Sequence, residues 1–177
     1  MKMLMCFAIV TVAVVGGHLL TDAPKLTAAP ASAQIYLSPV AMVADKAGAN
    51  IYIAQSTANR IDVFDVAGEK IVKSIDIGQP VSGLTLSNDE SKLYVTCAET
   101  HGYLRVVDIK SGKIDSKIRV GHTPMSPVVS PDGKKVYVAN RFGRQGTGVS
   151  IGSISLVDLA SGKEVATKHV PREPTAL

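Results

Sequence analysis

Several side chains are of types that do chemistry, and their spacing decides which chemistry is open to them. Gly148-Val149-Ser150-Ile151-Gly152 has the form G-x-S-x-G. A serine nucleophile in that motif needs a strand before it and a helix after it. Ser150 instead stands in a Gly-rich stretch between two apolar-alternating runs, so no catalytic residue is expected. Asp65, Asp108 and Asp158 recur at matching places and invite a cation-binding or acid–base reading. Each stands just ahead of a Gly-containing turn, so its expected role is hydrogen bonding inside that turn.

His101, His122, Arg141, Arg144 and Arg172 form a basic set and are the candidate binding residues. The planar fork of arginine suits carboxylates, so the expected partner is an acidic protein or an anionic ligand. No second histidine follows at H-x-x-x-H spacing, so no metal is expected. His122 is expected in a loop and His169 on a strand surface. There is no P-loop, dinucleotide fingerprint or zinc pattern and no C-x-x-C-H, so no cofactor or haem attachment is expected in this chain. The net charge of +4 is small and scattered, whereas nucleic-acid binding calls for a basic stripe or cluster. Cys97 is expected as a buried small hydrophobe. Cys6, the other cysteine, falls in a leader segment, so no internal disulfide is expected.

The elements that must position these side chains repeat. Tyr52, Tyr94 and Tyr137 lie 42 and 43 residues apart, each in a short apolar run: Ile51-Tyr52-Ile53, Leu93-Tyr94-Val95 and Val136-Tyr137-Val138. Each run is followed by a loop and then by Ile61-Asp62-Val63-Phe64-Asp65, Leu104-Arg105-Val106-Val107-Asp108 or Ile154-Ser155-Leu156-Val157-Asp158. A Gly-containing turn and another alternating run complete each unit. Short, β-branched runs separated by turns are strands, and no stretch keeps a 3.6-residue period. Four strands per ~40–45 residues is the period of one propeller blade.

These residues carry a resemblance. Tyr94-Val95-Thr96-Cys97 and Tyr137-Val138-Ala139-Asn140, each with an Asp-containing turn upstream and Val-Asp downstream, resemble the YVTN-type β-propeller repeat family over residues 38–177. The resemblance implies an exported or surface-exposed protein, usually of seven blades, whose relatives by fold include quinoprotein dehydrogenase subunits and lactonases. It also implies that the motif asparagine satisfies backbone groups at a strand end. Gln55 and Cys97 stand in its place in the first two units.

The expected fold is therefore all-β: a β-propeller of four-stranded antiparallel blades, incomplete in this chain. Blades are expected over approximately 38–80, 81–124 and 125–174, with a further blade starting at 175–177. Residues 1–33 read as a signal peptide, with Lys2 as a positive start, an apolar run from Met3 to Gly17, and Ala31-Ser32-Ala33 as an A-x-A-like cleavage site. The apolar run falls short of the ~20 residues a spanning helix needs, so no stable membrane span is expected after cleavage. The periplasm or the cell surface is the expected location.

The third unit breaks the pattern at one place. Tyr137 and Asp158 are 21 residues apart, against 14 for Tyr94 and Asp108, so Arg141 to Ser153 is expected to hold an inserted loop. In a propeller the strand two–three loops and the links between blades share one face, which would bring His101, His122, Arg141, Arg144 and Arg172 together. The reading is an exported binding scaffold without catalysis in this piece. Two alternatives stay open: the propeller portion of a periplasmic oxidoreductase or other enzyme with its cofactor or haem domain downstream, and a structural cell-surface protein.

Overall fold

The computed structural model describes residues 37–99, 101–142 and 152–170. The predicted leader, Ser150, Arg144, Arg172 and the expected start of a further blade lie outside these. The described residues form three four-stranded antiparallel sheets, each with its strands in chain order. The first holds β1 (Pro39–Ala44), β2 (Asn50–Gln55), β3 (Arg60–Asp65) and β4 (Lys70–Asp76). The second holds β5 (Val81–Leu86), β6 (Lys92–Cys97), β7 (Tyr103–Asp108) and β8 (Ile114–Arg119). The third holds β9 (His122–Val129), β10 (Lys135–Phe142), β11 (Gly152–Asp158) and β12 (Lys163–Val170). The described residues contain no helix long and apolar enough to cross a membrane.

The repeat is visible in irregularities as well as in strands. The ladder between the third and fourth strands slips at Val63/Phe64, Val106/Val107 and Leu156/Val157, the same place in every sheet. The ladder between the first and second strands slips at Pro39/Ala41, Val81/Gly83 and Val138/Asn140. Such bulges bend and twist a strand locally.

Packing follows from the alternation of side chains across each strand. On β6, Leu93 and Val95 face the first sheet, where they bury against Tyr52, Ile61 and Val63. Tyr94 faces the other way and buries with Leu104, Val106 and Ile118 against Val136, Val138 and Val157 of the third sheet. Both sides of the central sheet are therefore core. Only one residue in each of β4 and β8 is buried and none in β12, because these last strands lie outermost. The first strands adjoin, with Ser82 Oγ of β5 donating to the Pro124 carbonyl of β9 at 2.5 Å, and Thr96 Oγ1 of β6 donates to the Met125 carbonyl of β9 at 2.8 Å.

The turns at the opposite end link sheet to sheet. Lys46 Nζ donates to the Asn88 carbonyl at 2.5 Å. Asn88 Nδ2 in turn donates to the Pro131 carbonyl at 2.9 Å. The recurrent aspartates do what their spacing requires. Asp65 accepts from the Gly68 amide, Asp108 from the Ser111 amide and Asp158 from the Ser161 amide. Gly112 and Gly162 take the left-handed position of their turns, at φ 72 and 63°, whereas Glu69 takes it in the first sheet, at φ 48°.

These turns set an acid limit on stability. Hydrogen bonds from Ser87 and Ser91 hold Asp89 down to about 2. Asp108 and Asp132 are also lowered, mainly by the Ser111 and Ser130 hydroxyls, and Asp158 by the Ser161 amide. A folded-state pKa below the unfolded value of about 3.9 means each carboxylate adds stability above about pH 4. That contribution disappears as pH falls through the folded value. The expected result is a urea midpoint that is steady near neutrality and declines between about pH 4 and pH 2. Asp89→Asn should flatten the lower part of that decline, and an unchanged profile would count against this account.

Candidate functional site

Sequence places the candidate residues at the ends of strands, and hydrogen bonding fixes those ends in space. The β6–β7 loop and the links between sheets meet at one edge. Ala98 N donates to the Pro80 carbonyl at 3.2 Å, and Val120 N donates to the Gly102 carbonyl at 3.0 Å. Gly102 is buried, and a Cβ there would run into the Gly121 carbonyl and the Pro124 ring. Only glycine lets the loop come this close, and the approach pins His101 beside the start of β9.

Two predicted residues meet there. The rings of His101 and His122 have centroids 6.0 Å apart and planes tilted by 35°. His122 is not a loop residue, as the sequence led us to expect. It opens β9 and pairs with Phe142. Arg141, expected to open the inserted loop, lies on β10 one residue before Phe142. His169 is exposed on β12, as expected.

Beside His101 lies a cavity of about 480 Å3, lined by Gln79, Pro80, Ala98, Glu99, His101, Tyr103 and Lys117. The Lys117 ammonium sits 3.7 Å from the centre of the Tyr103 ring, a cation–π contact that holds the charge at the rim. Glu99 is engaged by Arg105 Nη2 at 3.4 Å. Arg105 is buried, and its Nη1 donates to the Ile77 carbonyl at 2.7 Å in the link between the first two sheets. The cavity's carboxylate thus already has a cationic partner, and Lys117 and the two histidines give the edge its donors.

A buried polar layer lies beneath this edge. Asn140 is fully buried, and its Nδ2 donates to Ser153 Oγ at 3.2 Å and Ser155 Oγ at 2.8 Å. Its partners are hydroxyls, not the backbone groups the resemblance implied. Ser155 Oγ accepts from the Gly121 amide at 3.2 Å, so the contact to the backbone is made one residue removed. In the second sheet the place of Asn140 is taken by Cys97, fully buried, and burial pushes its thiol up to about 11. That thiol stays protonated near neutrality and is a packing group. Sequence reasoning missed Glu99, Tyr103, Arg105 and Lys117. Arg105 had a signal, a charge within the apolar run Leu104–Val107. Lys117, on an outer strand of alternating polar residues, had none.

No protein-family model matches the chain. Antigen Lp49 of Leptospira interrogans serogroup Icterohaemorrhagiae serovar copenhageni (strain Fiocruz L1-130) is 26% identical over 155 residues, covering 78% of this chain and 33% of the antigen. Among solved structures, Kuenenia stuttgartiensis hydrazine synthase superposes with a TM-score of 0.67 at 24% identity, over 76% of this chain and 38% of that one. The three sheets are blades of a propeller-type fold. The chain spans about a third of the length of the curated relative it matches, and the blades form a scaffold whose loop edge carries the histidine pair and the cavity.

Proposed function

We propose that this chain is part of an exported β-propeller of the YVTN-repeat type that binds an acidic protein or an anionic ligand at its loop edge. One observation carries the binding reading. His101 lines a cavity together with Lys117 and has its ring centroid 6.0 Å from that of His122, and the cavity's Glu99 is engaged by Arg105. The Lys117 ammonium raises the local concentration of anions at this edge, and the imidazole N–H groups can donate hydrogen bonds to them. Export rests on the leader-like residues 1–33. The similarity to an antigen is in keeping with exposure outside the cytoplasm. The likeness to hydrazine synthase is one of fold, so it brings no catalytic role to this chain.

The test is fluorescence anisotropy with a labelled poly-glutamate peptide as probe. The wild-type chain should bind it, and binding should weaken as salt screens the charges. Lys117→Ala combined with Arg141→Ala should weaken it by about tenfold or more, the size of a lost charge-assisted hydrogen bond. Equal binding by wild type and variant, or no binding at low salt, would remove the reading.

A further inference from the structure

The cavity at the loop edge holds two opposite charges that do not pair with each other. Lys117 and Glu99 both line it, yet among the described residues no ion pair joins them. Each is held by a different neighbour. Lys117 Nζ lies 3.7 Å from the centre of the Tyr103 ring. It donates no hydrogen bond to a described residue, so the donors of the ammonium are open to a ligand.

Glu99 is fixed from the protein side. Arg105 is 9% exposed, with Nη1 on the Ile77 carbonyl at 2.7 Å and Nη2 on Glu99 Oε1 at 3.4 Å. This contact uses one oxygen of the carboxylate. Oε2 accepts no hydrogen bond among the described residues, and an ionised carboxylate has room for about four. A simple anion drawn to Lys117 would therefore meet the Glu99 charge beside it. A ligand carrying both charges would satisfy both groups at once, and an unpaired charge of this kind discriminates between the two.

We propose that the ligand of this cavity is an acidic α-amino acid, of the glutamate or aspartate class. The proposal rests on the anion-binding reading of the loop edge and deepens it, because such a molecule is a net anion that brings one ammonium group. The ammonium goes to Glu99 Oε2, one carboxylate to Lys117 and the other to His101. Pro80 and Ala98 give the methylene carbons an apolar wall. The volume of about 480 Å3 lies within the ~300–1,000 Å3 usual for small-molecule sites. Arg105 is a positioning residue here, since it holds the carboxylate without reaching the ligand.

The test is isothermal titration calorimetry on the purified full chain with glutamate and with N-acetylglutamate, which keeps both carboxylates and lacks the ammonium. Glutamate should bind about tenfold tighter or more, the size of one charge-assisted hydrogen bond. Glu99→Gln should abolish most of that advantage, because the amide keeps an oxygen for Arg105 Nη2 but loses the charge. No measurable binding of glutamate, equal affinity for the two ligands, or an advantage that survives in Glu99→Gln would overturn the proposal. The poly-glutamate peptide then separates the two levels. If it still binds the wild-type chain and weakens with Lys117→Ala and Arg141→Ala, the amino-acid class alone is wrong. If it does not bind, the anion-binding reading falls as well.

Discussion

Truncating Leu93 to alanine is expected to remove about 2–5 kcal/mol of folding stability. Leu93 is fully buried on β6 and belongs to the apolar cluster that joins the first blade to the second. Its side chain packs with Tyr52, Ile61 and Val63 across the junction and with Val95 and Val107 in its own sheet. The cost therefore has two parts, lost transfer of the removed atoms and a cavity between two sheets. Against a typical total of about 5–15 kcal/mol, this is enough to leave much of the population unfolded at modest urea. Val165→Ala is the control. That residue is 54% exposed on the outermost strand, and its truncation should stay within about 0.5 kcal/mol of wild type. A Leu93→Ala cost near that of the control would mean that the first two blades are not held together by this row.

Gly83→Ala should cost about 2–3 kcal/mol, even though alanine is the better strand residue. Glycine within a strand is unfavourable by about 0.5–1 kcal/mol relative to alanine, so in open space the exchange would stabilise. Here the added Cβ collides with the Met125 carbonyl oxygen and lies 2.8 Å from its carbon and 2.9 Å from Thr96 Oγ1. The obstacle is backbone, which cannot swing aside. Overfilling a packed site costs about 1–3 kcal/mol or more. The same shift disturbs the hydrogen bonds from Thr96 to Met125 and from Ser82 to Pro124 that tie β6 and β5 to β9. Denaturation midpoints give the size of the effect. Faster amide exchange confined to β5 and β9 would locate it at this junction, and a neutral or stabilising Gly83→Ala would refute the close approach.

The sheets were legible because each strand carries a local signal. Tyrosine-centred apolar runs gave β2, β6 and β10. Runs ending in aspartate gave β3, β7 and β11, and turn residues separated them. The strand character of β9 at His122 was hidden for a physical reason. Gly121-His122-Thr123-Pro124 has the punctuation of a connection, yet Pro124 and Pro127 both lie within β9. That is a first strand with a bulge opposite Val138 and Asn140, a setting in which proline is tolerated. Because β9 begins early, β10 runs on to pair Phe142 with His122, which moved Arg141 from the expected loop onto a strand. The approach of His101 to His122 followed from the shared edge of loops and links. The cavity did not, since Lys117 and Tyr103 contribute through the relation of β7 to β8, and neither residue type singles itself out. The left-handed Glu69 was equally hidden behind the neighbouring Gly68.

Tyr52 and Tyr94 are each covered by the following blade, and this sets a clock during synthesis. At about 5–20 residues per second, the 42 residues between Tyr52 and Tyr94 take roughly 2–8 seconds to emerge. For that interval the newest blade presents an uncovered aromatic face to its surroundings, and each further blade passes the exposure along the chain.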